Sequence, residues 1–147
     1  MIILDANILL YAYDSDSDRH QAARAWIEQV FSEGEPVGLP WQTVAAFLRV
    51  VTNSRLRGDR FTAAQAAAIV DAWLAQPNLR LLAPGDSHWS ILKLAMADGQ
   101  VRGPMVSDAQ LAALTMEYGG TLHTTDRDFA RFPGLRWTNP LETAKRR

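Results

Sequence analysis

Apolar residues fall along this chain in two rhythms. Short runs such as "MIIL", "LRLLA" and "TLHTT" read as strands. "PVGLP", bracketed by prolines, is at best a brief strand, and "LRWTNP" offers a last one. Between them lie longer segments in which apolar residues recur every three or four positions, the helical period. These are "DANILLYAYD", "DSDSDRHQAARAWIEQVFSEGE", "WQTVAAFLRVVTN", "TAAQAAAIVDAWLAQ", "SHWSILKLAMADG" and "SDAQLAALTMEYG". Thr62 with Gln65, and Ser107 with Gln110, have capping-box spacing at two helix starts. Gly34, Gly99 and Gly119 stand where three helices stop.

Short strands alternating with longer helices predict an α/β sandwich around a mostly parallel sheet. Continuous runs such as "MIIL" fit strands covered on both faces. In open sheets of this kind ligands bind beyond the carboxyl ends of the strands. Asp5 directly follows "MIIL" and Asp126 directly follows "TLHTT". Asp108 opens the helix leading into that second strand and joins them if its helix starts on the same side.

Three gathered carboxylates repel one another and call for a cation. The donors are all oxygen, which favours Mg2+ or Mn2+ over zinc. Such an ion typically serves phosphate chemistry. Each acid also has a plainer reading. Asp108 suits the first turn of a helix, Asp126 can start the "DRDFARF" turn, and Asp5 can cap the helix after it.

At 147 residues the chain fits one domain. It has no cysteine, which excludes disulfides and thiolate metal sites and suits the cytoplasm. A net charge of −1 does not announce a nucleic-acid partner. The start lacks a signal peptide's basic region, and no apolar run is long enough for a membrane span. "DSDSD" lacks the glycine and glutamate of an EF-hand, and the three histidines have no metal-ligand spacing. The five tryptophans sit mostly at helix-core spacing, with base stacking open for Trp41 and Trp137. Arg49, Arg55, Arg57 and Arg60 cluster around one loop, and Arg102, Arg127 and Arg131 lie near the acids. They read equally as a solvated surface or a basic rim for RNA.

"MIILDANILLYAYD", "PWQTVAAFLRVVTN" and "DAQLAALTMEYGGTLHTTDRDFARFPGLRWTNPL" together resemble the PIN-domain ribonucleases, most of all the VapC toxins of bacterial toxin–antitoxin pairs. The resemblance spans residues 1–141, leaving a basic tail at 142–147. It implies an Mg2+- or Mn2+-dependent endoribonuclease that leaves a 3′-hydroxyl and a 5′-phosphate. It also implies a homodimer and a cognate VapB antitoxin whose tail enters the acidic site. Asp5, Asp108 and Asp126 match the family's acids as catalytic and metal-binding residues. Asn7 and Thr125 match positions expected to orient them, and Asp128 is expected to cap the turn or pair locally.

The departure is Ala46, where the family usually carries a glutamate before "FLR". That glutamate would lie three residues before Arg49, which is then expected at the rim of the site. Either the chain is a weakened or divergent enzyme, or the residue has been replaced. The alternative function is a catalytically inactive PIN domain that binds RNA or antitoxin. A third is a metal-dependent phosphatase on a similar scaffold.

Overall fold

The computed structural model describes residues 1–53 and 61–142. Arg55, Arg57 and Arg60 of the basic loop, and nearly all of the 142–147 tail, lie outside the described residues. Five strands form one sheet: β1 (Ile2–Leu4), β2 (Val37–Pro40), β3 (Leu79–Leu82), β4 (Thr121–His123) and β5 (Trp137–Thr138). The helices are α1 (Ala6–Ala12), α2 (His20–Ser32), α3 (Trp41–Val51), α4 (Ala63–Leu74), α5 (His88–Asp98) and α6 (Val106–Glu117).

The sheet order is β3-β2-β1-β4-β5, with every neighbouring pair parallel. The brief "PVGLP" is a full strand here, buried along its length. Alternation along β1 shows how the layers form. Ile2 and Leu4 pack into a core with α1 to α4, while Ile3 packs into a second core with α5 and α6. A strand with both faces covered must be apolar at every position.

At the first core's centre, the Phe47 and Trp73 rings lie 4.6 Å apart, and Trp73 Nε1 donates to the Tyr13 hydroxyl at 3.2 Å. On the second side the chain leaves α6 through Gly119, at φ +65°. Gly120 then passes so close to Ile3 that a Cβ would sit 2.5 Å from Ile3 Cδ1.

Helix signals resolve unequally. The Thr62–Gln65 capping box forms in both directions. The expected box at Ser107 does not. A 3-10 turn, Gly103–Met105, runs straight into α6, which begins at Val106 without a side-chain cap. Asp108 is therefore in the first turn but caps nothing. Trp41 and Trp89 are exposed, so helical spacing misplaces these two in the core.

Candidate active site at the carboxyl edge of the sheet

β1 and β4 are adjacent and parallel, so their carboxyl ends open onto the same edge. Asp5 leaves β1 and caps α1, its Oδ1 accepting the Ala6 N–H at 2.7 Å. Its Oδ2 accepts the hydroxyl of Thr124 at 2.7 Å. The Thr124 oxygen in turn accepts the Asp126 N–H at 3.0 Å and the Asn7 side-chain amide at 3.2 Å. One buried hydroxyl thus ties together two of the three acids and Asn7.

This assigns the orienting role differently from the sequence. Asn7 donates to Thr124 rather than to an acid, and Thr124 makes the bonds expected of Thr125. The hydroxyl has one proton, given to Asp5, so Asn7 must turn its N–H2 toward it. Asn7 Oδ1 is then buried without a partner. A buried orphan acceptor calls for an explanation, and it lies in the acidic network.

Asp126 caps the 3-10 turn Arg127–Arg131, its Oδ1 accepting the Asp128 N–H at 2.9 Å. The plain reading of Asp126 therefore holds for one oxygen. Its Oδ2 makes no hydrogen bond among the described residues. The cap is Asp126, not Asp128.

Asp108 arrives on α6, and α3 fixes where. Thr43 donates to the carbonyl of Leu4 at 2.8 Å, one residue before Asp5. Gln42 Nε2 donates to the carbonyl of Ser107 at 2.7 Å, one residue before Asp108. Ala46 follows these two by four and three positions, on the same helical face. It is therefore on the α3 face that bridges the Asp5 and Asp108 segments.

The acids sense one another. Burial raises the Asp5 carboxyl above its ordinary range, against hydrogen bonds from Thr124 and Ala6, and the charge of Asp126 adds to the rise. Asp108 is raised by burial first and then by the charges of Asp126, Asp5 and Asp128, with Arg131 opposing. Arg131 is thus a cation whose charge is felt at Asp108. Arg49 is exposed in the last turn of α3, with no contact to the three acids among the described residues.

The donors around this point are carboxylate oxygens, and the carboxyls of Asp5 and Asp108 are raised by burial first and by neighbouring charge second. Among the described residues, no group of three or more acids or histidines is placed to hold a metal ion. Mg2+ does not need such a group, because it binds through one or two carboxylates and keeps several waters. The donor chemistry fits a hydrated hard cation and does not fit a structural zinc.

The parallel sheet thus brings Asp5 and Asp126 together past its adjacent central strands. The chain belongs to the PIN-domain family, whose model matches residues 2–135, and within it to the VapC group. It is 39% identical to the ribonuclease VapC43 of Mycobacterium tuberculosis over 97% of both chains. It is 38% identical to VapC33 of the same organism, over 96% of this chain and 99% of the relative.

Among solved structures, it is similar to VapBC2 from Rickettsia felis bound to a promoter DNA fragment. There the TM-score is 0.70 at 19% identity, over 95% of this chain and 98% of that one. VapC20 of M. tuberculosis, a toxin described as cleaving the sarcin–ricin loop, matches with a TM-score of 0.66 at 15% identity. That match covers 92% of this chain and 99% of the other. Among the described residues, no helix is long and apolar enough to cross a membrane.

Proposed function

We propose that this chain is built as an Mg2+- or Mn2+-dependent endoribonuclease of the VapC type, with Ala46 standing where the site lacks an acid. The carrying observation is the Thr124 hydroxyl that links Asp5, Asp126 and Asn7 at the sheet edge. Asp5 and Asp108 would hold the ion, and Asp126 would assist through its uncommitted Oδ2. When bound, the ion supplies charge neutralisation and Lewis acidity toward an RNA phosphodiester.

The chain's own residues do the rest. Thr124 and the Ala6 N–H fix both Asp5 oxygens, so the carboxylate cannot rotate away. Asp108 makes no hydrogen bond among the described residues, so its oxygens stay free for ion or solvent. A glutamate at 46 would extend from the α3 face bridging the Asp5 and Asp108 segments. Its absence supports a second reading, a PIN domain that binds RNA or antitoxin without cutting.

The solved neighbours support a protein partner. Solved neighbours include VapBC complexes from Rickettsia felis and nontypeable Haemophilus influenzae, which supports a VapB-type antitoxin here. We place the active form as a cytoplasmic homodimer. Titration calorimetry with Mn2+, followed by cleavage assays on RNA and on small phosphate esters, tests the reading. Metal binding with cleavage of RNA alone by the Ala46→Glu protein supports it. Activity on the esters and none on RNA points to the phosphatase instead. Binding of RNA and metal by that variant without cutting establishes the binding module.

A further inference from the structure

Beside the acids lies a cavity of about 620 Å3, lined by Asp18, Arg19, Ala22, Thr125, Arg127 and Asn139 and closed by Leu141 and Glu142. Its lining residues Thr125 and Arg127 flank Asp126 in the chain. Asp126 is extended, at φ −89° and ψ 112°. Successive side chains of an extended segment point to opposite sides. Thr125 and Arg127 line the cavity, while Asp126, between them, belongs to the acidic network.

The chemistry of the lining selects an occupant. Two arginines are balanced by two acids, Asp18 and Glu142, so the cavity carries no excess positive charge to trap a phosphate. It offers donors and acceptors together, beside the apolar Ala22 and Leu141. Asn139 commits its Oδ1 to the Leu141 N–H at 3.0 Å, leaving its amide N–H2 as a fixed donor. Arg19 is held over the Tyr11 ring, 5.3 Å from the centroid, giving the wall a planar cation. Arg127 and Glu142 pair at 2.8 Å while exposed, and such a pair opens at little cost.

An unstacked base has this profile, with apolar faces to stack and an edge of mixed donors and acceptors. The volume is within the roughly 300–1,000 Å3 of small-ligand sites. We propose that this cavity seats the base of the nucleotide adjoining the scissile phosphate and sets base preference there, an inference that rests on the ribonuclease reading.

The test is ultraviolet cross-linking of a short random-sequence single-stranded RNA to the protein as it stands, with the cross-linked residues mapped by mass spectrometry. Cross-links are expected on Thr125, Asn139 or Leu141. Ala22→Leu, which fills the cavity, and Arg19→Ala, which removes the planar wall, should each lower RNA affinity about tenfold, the loss of one stacked base. Melting curves establish that both variants fold.

In the Ala46→Glu background with Mg2+, Ala22→Leu should abolish base preference at one position beside the cut. Cross-links confined to other surfaces, or unchanged affinity in both variants, overturn the subsite even where the glutamate form cleaves RNA. Cavity cross-links in a glutamate form that never cleaves leave the base site standing and remove the ribonuclease reading.

Discussion

The hydroxyl of Thr124 donates to Asp5 Oδ2 at 2.7 Å, and this contact connects β4 to the first acid after β1. It holds the carboxylate in one orientation while the same oxygen receives the Asp126 N–H. Outer partners of this kind typically change metal affinity 10–100-fold when lost. Thr124→Val should therefore weaken Mn2+ binding by about that factor in calorimetry. Thr125→Val should leave it nearly unchanged. Equal effects would remove Thr124 from its organising role.

Asp5 is held above its ordinary pKa of 3.8, so its ionised form is less favourable in the folded chain than in the unfolded one. The sign follows from linkage. Its stabilisation is fully present below 3.8 and is lost as pH rises through the folded-state value. Asn keeps an oxygen for the cap on Ala6 and removes the charge, but it has no second oxygen to accept the Thr124 hydroxyl. Relative to the parent, the stability of Asp5→Asn in the metal-free protein should rise as pH goes from acid to neutral, because the variant carries no buried charge to ionise. Thermal melts across pH check this. A difference from the parent that stays constant across that range would contradict it.

His123 behaves in the opposite sense. Burial holds its pKa below 6.5, and its ring stacks on Trp26 at 5.3 Å. The Thr121 carbonyl and Glu35 oppose that shift, and the chain's amino terminus adds slightly to it. The unfolded chain takes up the proton first as pH falls. Stability from this residue is full above 6.5 and declines below it until the folded-state value is reached. Replacing His123 with Gln should flatten the stability profile between about pH 5 and pH 7. Denaturant midpoints measure it, and an unchanged slope would show that another group titrates there.

Much of this architecture was legible in the residues themselves. "MIIL" is apolar at every position because Ile3 faces one core and its neighbours face the other. That pattern gave the parallel sheet, and the sheet gave the edge where Asp5 and Asp126 had to lie. Thr124 was missed because "HTTD" offers two chemically identical residues, and only strand direction separates them. Alternation carried a signal: Leu122 and Thr124 share a parity and are both fully buried, whereas Thr125 is half-buried.

The supposed cap at Ser107 failed for a different reason. A preceding 3-10 turn supplies the helix start, and a capping-box pattern cannot reveal what backbone comes before it. Arg49, assigned to the rim by its spacing from Ala46, lies exposed in the last turn of α3. Arg131 comes near Asp108 through the turn after Asp126, a relationship that no local spacing encodes.

Ala46 is the position on which the functional account turns. Gln42 and Thr43 anchor its helical face to the residues preceding Asp108 and Asp5. The most direct measurement is Mg2+-dependent cleavage of RNA by three purified proteins: the chain as it stands, Ala46→Glu, and Ala46→Glu combined with Asp5→Ala. The account predicts cleavage by the glutamate form, at least about a hundredfold above the other two, the scale on which loss of one catalytic group acts. Metal-dependent cleavage that survives Asp5→Ala, or a glutamate form no more active than the parent, would contradict it.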